Sequence, residues 1–357
     1  MTDAPEMFSA SRQSRKRSHV GLIVAGSVAA VLVIGAATGW WLVSRTEHPA
    51  KEGQQVEVRI PDGASTEQIA RMLSMYSVVK NSLMFQIEAK LDKAALRPGT
   101  YELSTGMPDE LVLKTLSAGP QVVYYDVVIP EGFTAKQVAR RFAARAGVPA
   151  DEMMSLVTSG ASQFQGKHPY LAGAAGGSLE GYLYPATYRI KKGTQPAAIV
   201  EMMLGKFEAA TANLDMSYAR SKNLTLSDVM IIASILEREA KLPKDYPTVA
   251  SVIYNRMHLH MRLQLDSTVY YVAPEGTVKL SNADLQNASP YNTYRHLGLP
   301  PGPIANPGIE AIQAAARPSQ TPYLYYVLTG KDGSQTFTTN YKDFLAAVNK
   351  YHQVFGN

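Results

Sequence analysis

Two stretches of the chain alternate apolar and polar residues and then change to a helical period. "VEVRIPDGASTEQIARM", from Val56, and "YDVVIPEGFTAKQVARR", from Tyr125, share hydrophobic-Ile-Pro-acid-Gly and then Gln-(Ile/Val)-Ala-Arg. Each copy predicts a short strand ended by Pro and Gly, followed by a helix that Ser65 or Thr134 would cap. Two copies predict duplicated β/α modules, because a solenoid needs more repeats than two.

The remaining pattern predicts a mixed α+β fold. Expected helices are Ser82–Leu91, 227–240, 246–257 and an amphipathic terminal helix from about 340, and expected strands lie within 96–108, 179–190 and 322–327, the last read as a buried strand. From Leu226 onward the chain changes character, and helical segments are followed by a region rich in Pro, Tyr and Asn.

The helix predicted at 227–240 is apolar but ends with two acids, Glu237 and Glu239. A buried carboxylate is costly unless it is paired or protonated, so this end is either a structural ion pair or a site of chemistry. A spacing of two residues separates the two acids by about 200° on the helix, so they cannot act together on one substrate. The helical wheel does not choose between them, and both could instead be solvated and bonded to Arg238 or Lys241.

The longest apolar run, residues 20–43, carries no charge and is long enough to cross a bilayer as a helix. Four basic residues precede it, which predicts a cytoplasmic N-terminus and an exported remainder: Arg12, Arg15, Lys16 and Arg17. The competing interpretation is a cleaved signal peptide, whose apolar region is normally shorter. We therefore expect a cytoplasmic tail at 1–19, a transmembrane helix at 20–43, a linker at 44–54, a first module at 55–122 and a second domain at 123–357 with its core at about 226–345.

Composition excludes several classes of chemistry. The chain has 357 residues, of which 46% are hydrophobic, a net charge of +5 and no cysteine, so thiol nucleophiles, thiolate zinc sites and disulfides are excluded. Much of the basic excess precedes residue 20, so no nucleic acid partner is expected. His258 and His260 lack further ligands at metal spacing and no G-x-S-x-G motif is present, so neither a metal, a cofactor nor a serine hydrolase is expected.

Polar and aromatic residues follow the helices in turn-rich segments. Amides and tyrosines on such segments suit a sugar, because rings stack on apolar faces and hydroxyls need fixed donors and acceptors. The alternative is that the tyrosines fill core and the prolines set turns. The candidates for sugar binding or transition-state support are Arg262, Gln264, Asp266, Tyr291, Asn292 and Tyr294, with Asn255 as a secondary one.

These residues stand within motifs that resemble the YceG-like (MltG) family of endolytic murein transglycosylases. The motifs "LEGYLYPATY", "ASILEREA", "VASVIYNRM", "MRLQLDSTVYY", "SPYNTY" and "GLPPGPIANPG" occur in the family order. The resemblance implies a single anchor in the bacterial inner membrane, a LysM-like first module and a periplasmic or extracellular catalytic domain. It also assigns the catalytic acid to Glu237, leaving Glu239 as its support and Glu180 as a secondary candidate with a structural tie as its expected role.

The resemblance implies cleavage of peptidoglycan glycan strands between N-acetylmuramic acid and N-acetylglucosamine, leaving 1,6-anhydromuramic ends and terminating nascent strands. Peptidoglycan synthases are candidate partners. The alternative is a non-catalytic peptidoglycan-binding or scaffold protein of the wall-synthesis machinery. Where the family commonly has His-x-Phe near its end, this chain has Gln335 before Thr336 and Phe337, so no histidine role is carried over there.

Overall fold

The computed structural model describes residues 53–356, which have the mixed α+β structure that the sequence predicts. The predicted transmembrane segment at 20–43 and the tail before it lie outside the described residues. Within residues 53–356, no helix combines the length and apolar character needed to cross a membrane. The chain divides into two compact units, the first ending at Gln121 and the second beginning at Val122.

The first unit is a two-stranded antiparallel sheet packed against helices. Its elements are β1 (Gln55–Ile60), α1 (Thr66–Met75), α2 (Ser82–Leu91), β2 (Gly99–Ser104) and α3 (Asp109–Ala118). Val58 of β1 lies opposite Tyr101 of β2, and both are buried in one core with Phe85 of α2. The alternation of the strands therefore builds this core, because every second side chain points inward.

The glutamine shared by the two sequence copies has a structural role. Ser65 Oγ accepts from the Gln68 backbone N–H, while Gln68 Oε1 accepts from the Ser65 N–H at 2.8 Å. Thr134 and Gln137 form the same reciprocal pair at the start of the second copy's helix. Both predicted N-caps are confirmed, and the repeated glutamine is explained by a capping box.

The second unit has a large core of buried side chains from helices and from two short antiparallel strand pairs, β3 with β4 and β5 with β6. Its elements are β3 (Tyr124–Val128), α4 (Ala135–Ala146), α5 (Ala150–Ser159), α6 (Ala161–Phe164), β4 (Thr187–Lys191), α7 (Pro196–Thr211), α8 (Ser217–Ser221), α9 (Leu226–Glu239), α10 (Tyr246–His258), α11 (Asp266–Val272), α12 (Asn282–Leu285), α13 (Ile309–Ala316), β5 (Tyr325–Leu328), β6 (Gln335–Thr338) and α14 (Tyr341–Phe355). The last of these confirms the predicted terminal helix.

The predicted strand at 179–190 is wrong in its first half, since β4 begins only at Thr187. Pro185 has no N–H to donate to a sheet ladder. The N–H groups of Gly181 and Leu183 both donate to Asn306 Oδ1 at 2.9 Å, and Gly181 has a φ of 89°. These residues therefore form a buried turn that is held by a distant side chain instead of by a neighbouring strand.

Helix α9 is buried around its whole circumference over residues 229–236, as the apolar run predicts. Thr225 caps its first turn through Asp228, and Ala240 ends it with an extended backbone. The helix packs against α13 and α10. Its C-terminal end, with Glu237 and Glu239, thus lies at the edge of the core where other segments of the chain converge.

The strand predicted at 322–327 is shorter and less buried than expected. β5 covers Tyr325–Leu328 and each of its residues is only half-buried. It pairs with β6 alone, Tyr326 opposite Phe337, in a two-stranded sheet.

Candidate active site

Glu239 lies at the C-terminal end of α9 among hydrogen-bond donors from two other segments. Its Oε1 accepts from the backbone N–H of Ser267 in α11 at 3.3 Å, and its Oε2 accepts from the Tyr326 hydroxyl of β5 at 2.9 Å. Its main-chain carbonyl accepts from Gln335 Nε2 of β6 at 3.1 Å. Helix α11 and the β5–β6 hairpin therefore fix the position of this carboxyl group.

Burial raises the pKa of Glu239 above the ordinary value of 4.5, and the negative charge of Asp266 contributes to the rise. The hydrogen bonds from Ser267 and Tyr326 lower the pKa of Glu239, but by less than burial raises it. Glu239 therefore keeps its proton to a higher pH than an exposed glutamate does. A general acid requires this property, because it must carry a proton at the pH where it works.

Residues 262–266, which lead into α11, bring three of the predicted sugar-binding residues to the surface. Arg262, Gln264 and Asp266 are exposed, whereas the intervening Leu263 and Leu265 are buried. Gln264 has a φ of 51°, a left-handed conformation that is uncommon for residues other than glycine. The apolar side chains anchor the segment, so its polar side chains face solvent from a fixed backbone.

Asp266 and Tyr294 lie beside Glu239. The Tyr294 hydroxyl donates to Asp266 Oδ1 at 2.5 Å. Burial and the nearby negative charges of Asp266 and Glu239 raise the pKa of Tyr294. Buried Arg256 balances part of this charge and donates from Nε to a main-chain carbonyl at 2.7 Å. The structure thus brings two of the predicted residues together with Glu239.

Two predicted amides instead hold the fold together. Asn292 is completely buried and its Nδ2 donates to the carbonyls of Leu285 and Asn287, at 3.0 and 2.7 Å. Asn255 Nδ2 donates to the carbonyls of residues 321 and 323, at 2.8 and 2.9 Å. Tyr291 is half-buried and packs its ring 5.0 Å from that of Tyr271. These three side chains organise loops, and their polar or aromatic groups are already engaged there.

Glu237 points to different neighbours. Its Oε2 accepts from the backbone N–H of Gly308, which precedes α13, at 3.0 Å, and its Oε1 accepts from the Tyr246 hydroxyl at 3.2 Å. Burial raises the pKa of Glu237, and the charges of Glu131 and Glu310 add to the rise. Glu237 therefore ties the end of α9 to the starts of α13 and α10, and its two hydrogen bonds involve none of the predicted sugar-binding residues.

Glu180 is the most enclosed of the three candidate acids, with 4% of its surface exposed. Its Oε1 accepts from the Ala135 N–H at the start of α4 and from Asn306 Nδ2, while its Oε2 accepts from the Tyr271 hydroxyl. Burial raises its pKa to about 8, against these hydrogen bonds and the charge of Lys136. Glu180 thus joins three segments of the chain by hydrogen bonds, and its raised pKa keeps it mostly neutral at neutral pH.

Asn306 is the centre of this buried network. Its Oδ1 accepts from Gly181 and Leu183, and its Nδ2 donates to the Phe133 carbonyl and to Glu180. Its own N–H also donates to the Phe133 carbonyl, at 2.8 Å. One amide side chain therefore joins the loop before α13 to the start of α4 and to the turn at 179–186.

We expect Asn306→Ala to lower the free energy of unfolding by about 3 kcal/mol, because it leaves buried donors and acceptors without partners. Urea unfolding of the full chain in detergent, followed by circular dichroism, measures this change. The exposed Asn213 provides the control, and Asn213→Ala should stay within about 0.5 kcal/mol of wild type. Equal stability of the two variants would contradict the role assigned to Asn306.

Sequence reasoning missed Ser267, Tyr326 and Asn306, and it treated Gln335 only as a departure from the family. A buried serine and a single asparagine in a Pro/Gly loop give no periodic signal. Within residues 53–356, no three His, Cys, Asp or Glu side chains converge at metal-ligand spacing.

Fold and site together define an α+β protein whose candidate centre is one enclosed carboxyl group held between a helix end and a hairpin. Residues 58–350 match the model of the YceG-like family. The chain belongs to that family, as its motifs indicated.

Named relatives agree with this assignment. The "Endolytic murein transglycosylase" of Bacillus subtilis strain 168 is 30% identical, over 90% of this chain and 91% of the relative. The protein of the same name from Streptococcus pneumoniae R6 is 32% identical over 91% of this chain, but the match spans only 64% of that longer relative. A crystal structure of a yceG-like protein from Listeria monocytogenes, 32% identical, superposes with a TM-score of 0.57 and covers 82% of this chain and 99% of that one.

Proposed function

We propose that this protein is an endolytic murein transglycosylase that cleaves the glycan strands of peptidoglycan between N-acetylmuramic acid and N-acetylglucosamine. The single observation that carries the proposal is an enclosed Glu239 with a raised pKa near the exposed Asp266, in a chain similar to proteins of that name. One carboxyl group suffices for this reaction, because the attacking hydroxyl belongs to the substrate itself.

In the proposed reaction, Glu239 donates its proton to the glycosidic oxygen as the bond from that oxygen to C1 of muramic acid breaks. The resulting Glu239 carboxylate accepts the proton of the muramic C6 hydroxyl while O6 bonds to C1. The products are a 1,6-anhydromuramic end and a free 4-hydroxyl, and Glu239 is protonated again. Ser267 and Tyr326 stabilise the transient carboxylate, and Asp266 is placed to oppose positive charge developing on the sugar.

The choice of Glu239 instead of Glu237 revises the role that the family resemblance assigned. Both acids accept two hydrogen bonds, but Glu239 is close enough to Asp266 and Tyr294, both candidates for sugar positioning, for their charges to interact, whereas the charges that act on Glu237 are those of Glu131 and Glu310. A catalytic acid must contact the substrate, so the acid nearer to the substrate-positioning groups is favoured. In this proposal Glu237 is the structural support and Glu239 the acid, with Arg262 and Gln264 as further contacts for sugar.

The layout of the rest of the chain completes the proposal. Residues 20–43 would anchor the protein in the inner membrane with its N-terminus in the cytoplasm, and residues after the 44–54 linker would lie outside. The β-α-α-β order of β1, α1, α2 and β2 supports a LysM-like module at 55–122, followed by the catalytic domain at 123–357. Peptidoglycan synthases are the expected partners, and cleavage would end nascent strands.

The test is incubation of the full chain, in detergent, with purified peptidoglycan, followed by mass spectrometry of the released fragments. We expect fragments ending in 1,6-anhydromuramic acid, which are lighter by one water than hydrolysed ends. If only hydrolysed ends are found, the protein is a hydrolase and the proposed transglycosylase activity is wrong. Binding without any cleavage between pH 4 and 9 would favour the non-catalytic scaffold.

A further inference from the structure

A cavity of about 560 Å³ lies between the first turn of α4 and the segment that follows α11. We call it the α4–α11 cavity. Charged, hydroxyl and aromatic side chains line it: Lys136, Arg140, Glu180, Arg238, Ser267 and Tyr271. Its volume is typical of a site for a small ligand or for part of a larger one.

The charged groups of the α4–α11 cavity leave an excess of positive charge. Arg140 forms an ion pair with Glu275 across the cavity. Lys136 forms no ion pair in the part of the chain that the structure describes, and Arg238 makes only a long hydrogen bond of 3.5 Å to a main-chain carbonyl. Since burial raises the pKa of Glu180 to about 8, this carboxyl group is mostly uncharged at neutral pH. The cavity is therefore suited to an anion.

Ser267 connects the cavity to the candidate acid. Its backbone N–H donates to Glu239, and the residue is among those that line the α4–α11 cavity. The residue is 8% exposed, and its hydroxyl, although close enough to Glu239 to lower that pKa, reaches hydrogen-bonding geometry with no group in the described residues. A buried hydroxyl without a partner is uncommon, and a turn of the Ser267 side chain toward the cavity would let a ligand oxygen satisfy it.

The proposed substrate has anionic groups only where peptide branches from muramic acid. N-acetylated sugar rings are neutral, whereas the branching peptide carries carboxylates from its acidic residues and its end. The excess of positive charge near Glu239 is therefore complementary to the carboxylates of the peptide, whereas it would attract the neutral glycan only weakly.

We propose that the α4–α11 cavity binds a carboxylate of the peptide that branches from muramic acid, with Lys136 and Arg238 as the cationic contacts and Ser267 as a donor. This inference rests on the proposed function, because it takes the glycan strand as the substrate. The site would place a peptide-bearing muramic residue next to Glu239. The enzyme would then select strands whose peptides are still attached.

Calorimetric titration of the full chain in detergent tests the site without requiring cleavage. The probes are an N-acetylmuramyl tripeptide with free carboxylates and the same compound with its carboxylates converted to carboxamides. We expect wild type to bind the carboxylate form at least about tenfold more tightly, with a preference that falls as salt rises. In Lys136→Gln the preference should fall to about twofold, whereas Lys342→Gln, an exposed lysine of α14, should retain it.

Equal binding of the two probes by wild type, or a preference that survives in Lys136→Gln, would overturn the proposal. A second measurement compares cleavage of strands whose peptides carry free carboxylates with cleavage of strands whose peptide carboxylates are converted to carboxamides. The ratio of kcat/KM for the two should exceed about five in wild type and fall in Lys136→Gln but not in Lys342→Gln. If no strand is cleaved but the binding preference holds, the proposed reaction fails while the anion site stands.

Discussion

Glu239→Gln should lower kcat/KM for the formation of 1,6-anhydromuramic ends about a thousandfold, because the amide cannot donate the proton that the leaving oxygen needs. The substitution changes little else. Glutamine has the same shape, and its Oε1 can still accept from the Ser267 N–H. Quantitative mass spectrometry of the products, with the full chain and purified peptidoglycan, measures the loss.

Glu237→Gln is the matched control, because it removes a second acid from the same helix end. The side-chain oxygen of the glutamine can still accept a hydrogen bond from the Gly308 N–H, so we expect activity within about tenfold of wild type. Thermal unfolding of both variants shows whether either loss reflects the fold. The reverse pattern, a large loss only in Glu237→Gln, would return the catalytic role to the acid that the family motif suggested.

The local architecture could be predicted from the sequence because it depends on neighbouring residues. The N-caps at Ser65 and Thr134 form as expected, and the capping box that completes each needs only a glutamine three residues later. The buried helix α9 follows from one continuous apolar run. The turn at 179–186 could not be foreseen in the same way, because the side chain that holds it, Asn306, is more than 120 residues distant along the chain.

The choice between the two acids of α9 also depends on distant residues. A helical wheel shows only that Glu237 and Glu239 face different directions, each at a flank of the apolar sector. The donors that distinguish them come from 28 residues away for Ser267 and 87 for Tyr326. Residue types could therefore predict the chemistry of the site, whereas assigning the acid required the tertiary structure.

Because Glu180 is buried, its contribution to the stability of the fold depends on pH. Its pKa is raised from 4.5 to about 8, since removal from water penalises the charged form more than three hydrogen bonds favour it. Between these two values the folded protein holds a proton that the unfolded chain has released. By linkage, the stability contributed by the proton is fully present below pH 4.5 and is lost as pH rises through 8.

Glu180→Gln should therefore be more stable than wild type at alkaline pH, by up to about 5 kcal/mol at pH 9, and similar to it near pH 4.5. The amide oxygen can accept from Ala135 and Asn306 as Glu180 does, and it never ionises. Urea unfolding at several pH values in this range measures the difference in stability between the two proteins. The other titrating groups are the same in both, so their contributions cancel in that difference. Glu152→Gln, at an exposed position on α5, should instead follow the wild-type curve. A Glu180→Gln difference that stayed constant with pH would mean that Glu180 is ionised in the folded protein throughout, and the cavity beside it would then lose much of its positive excess.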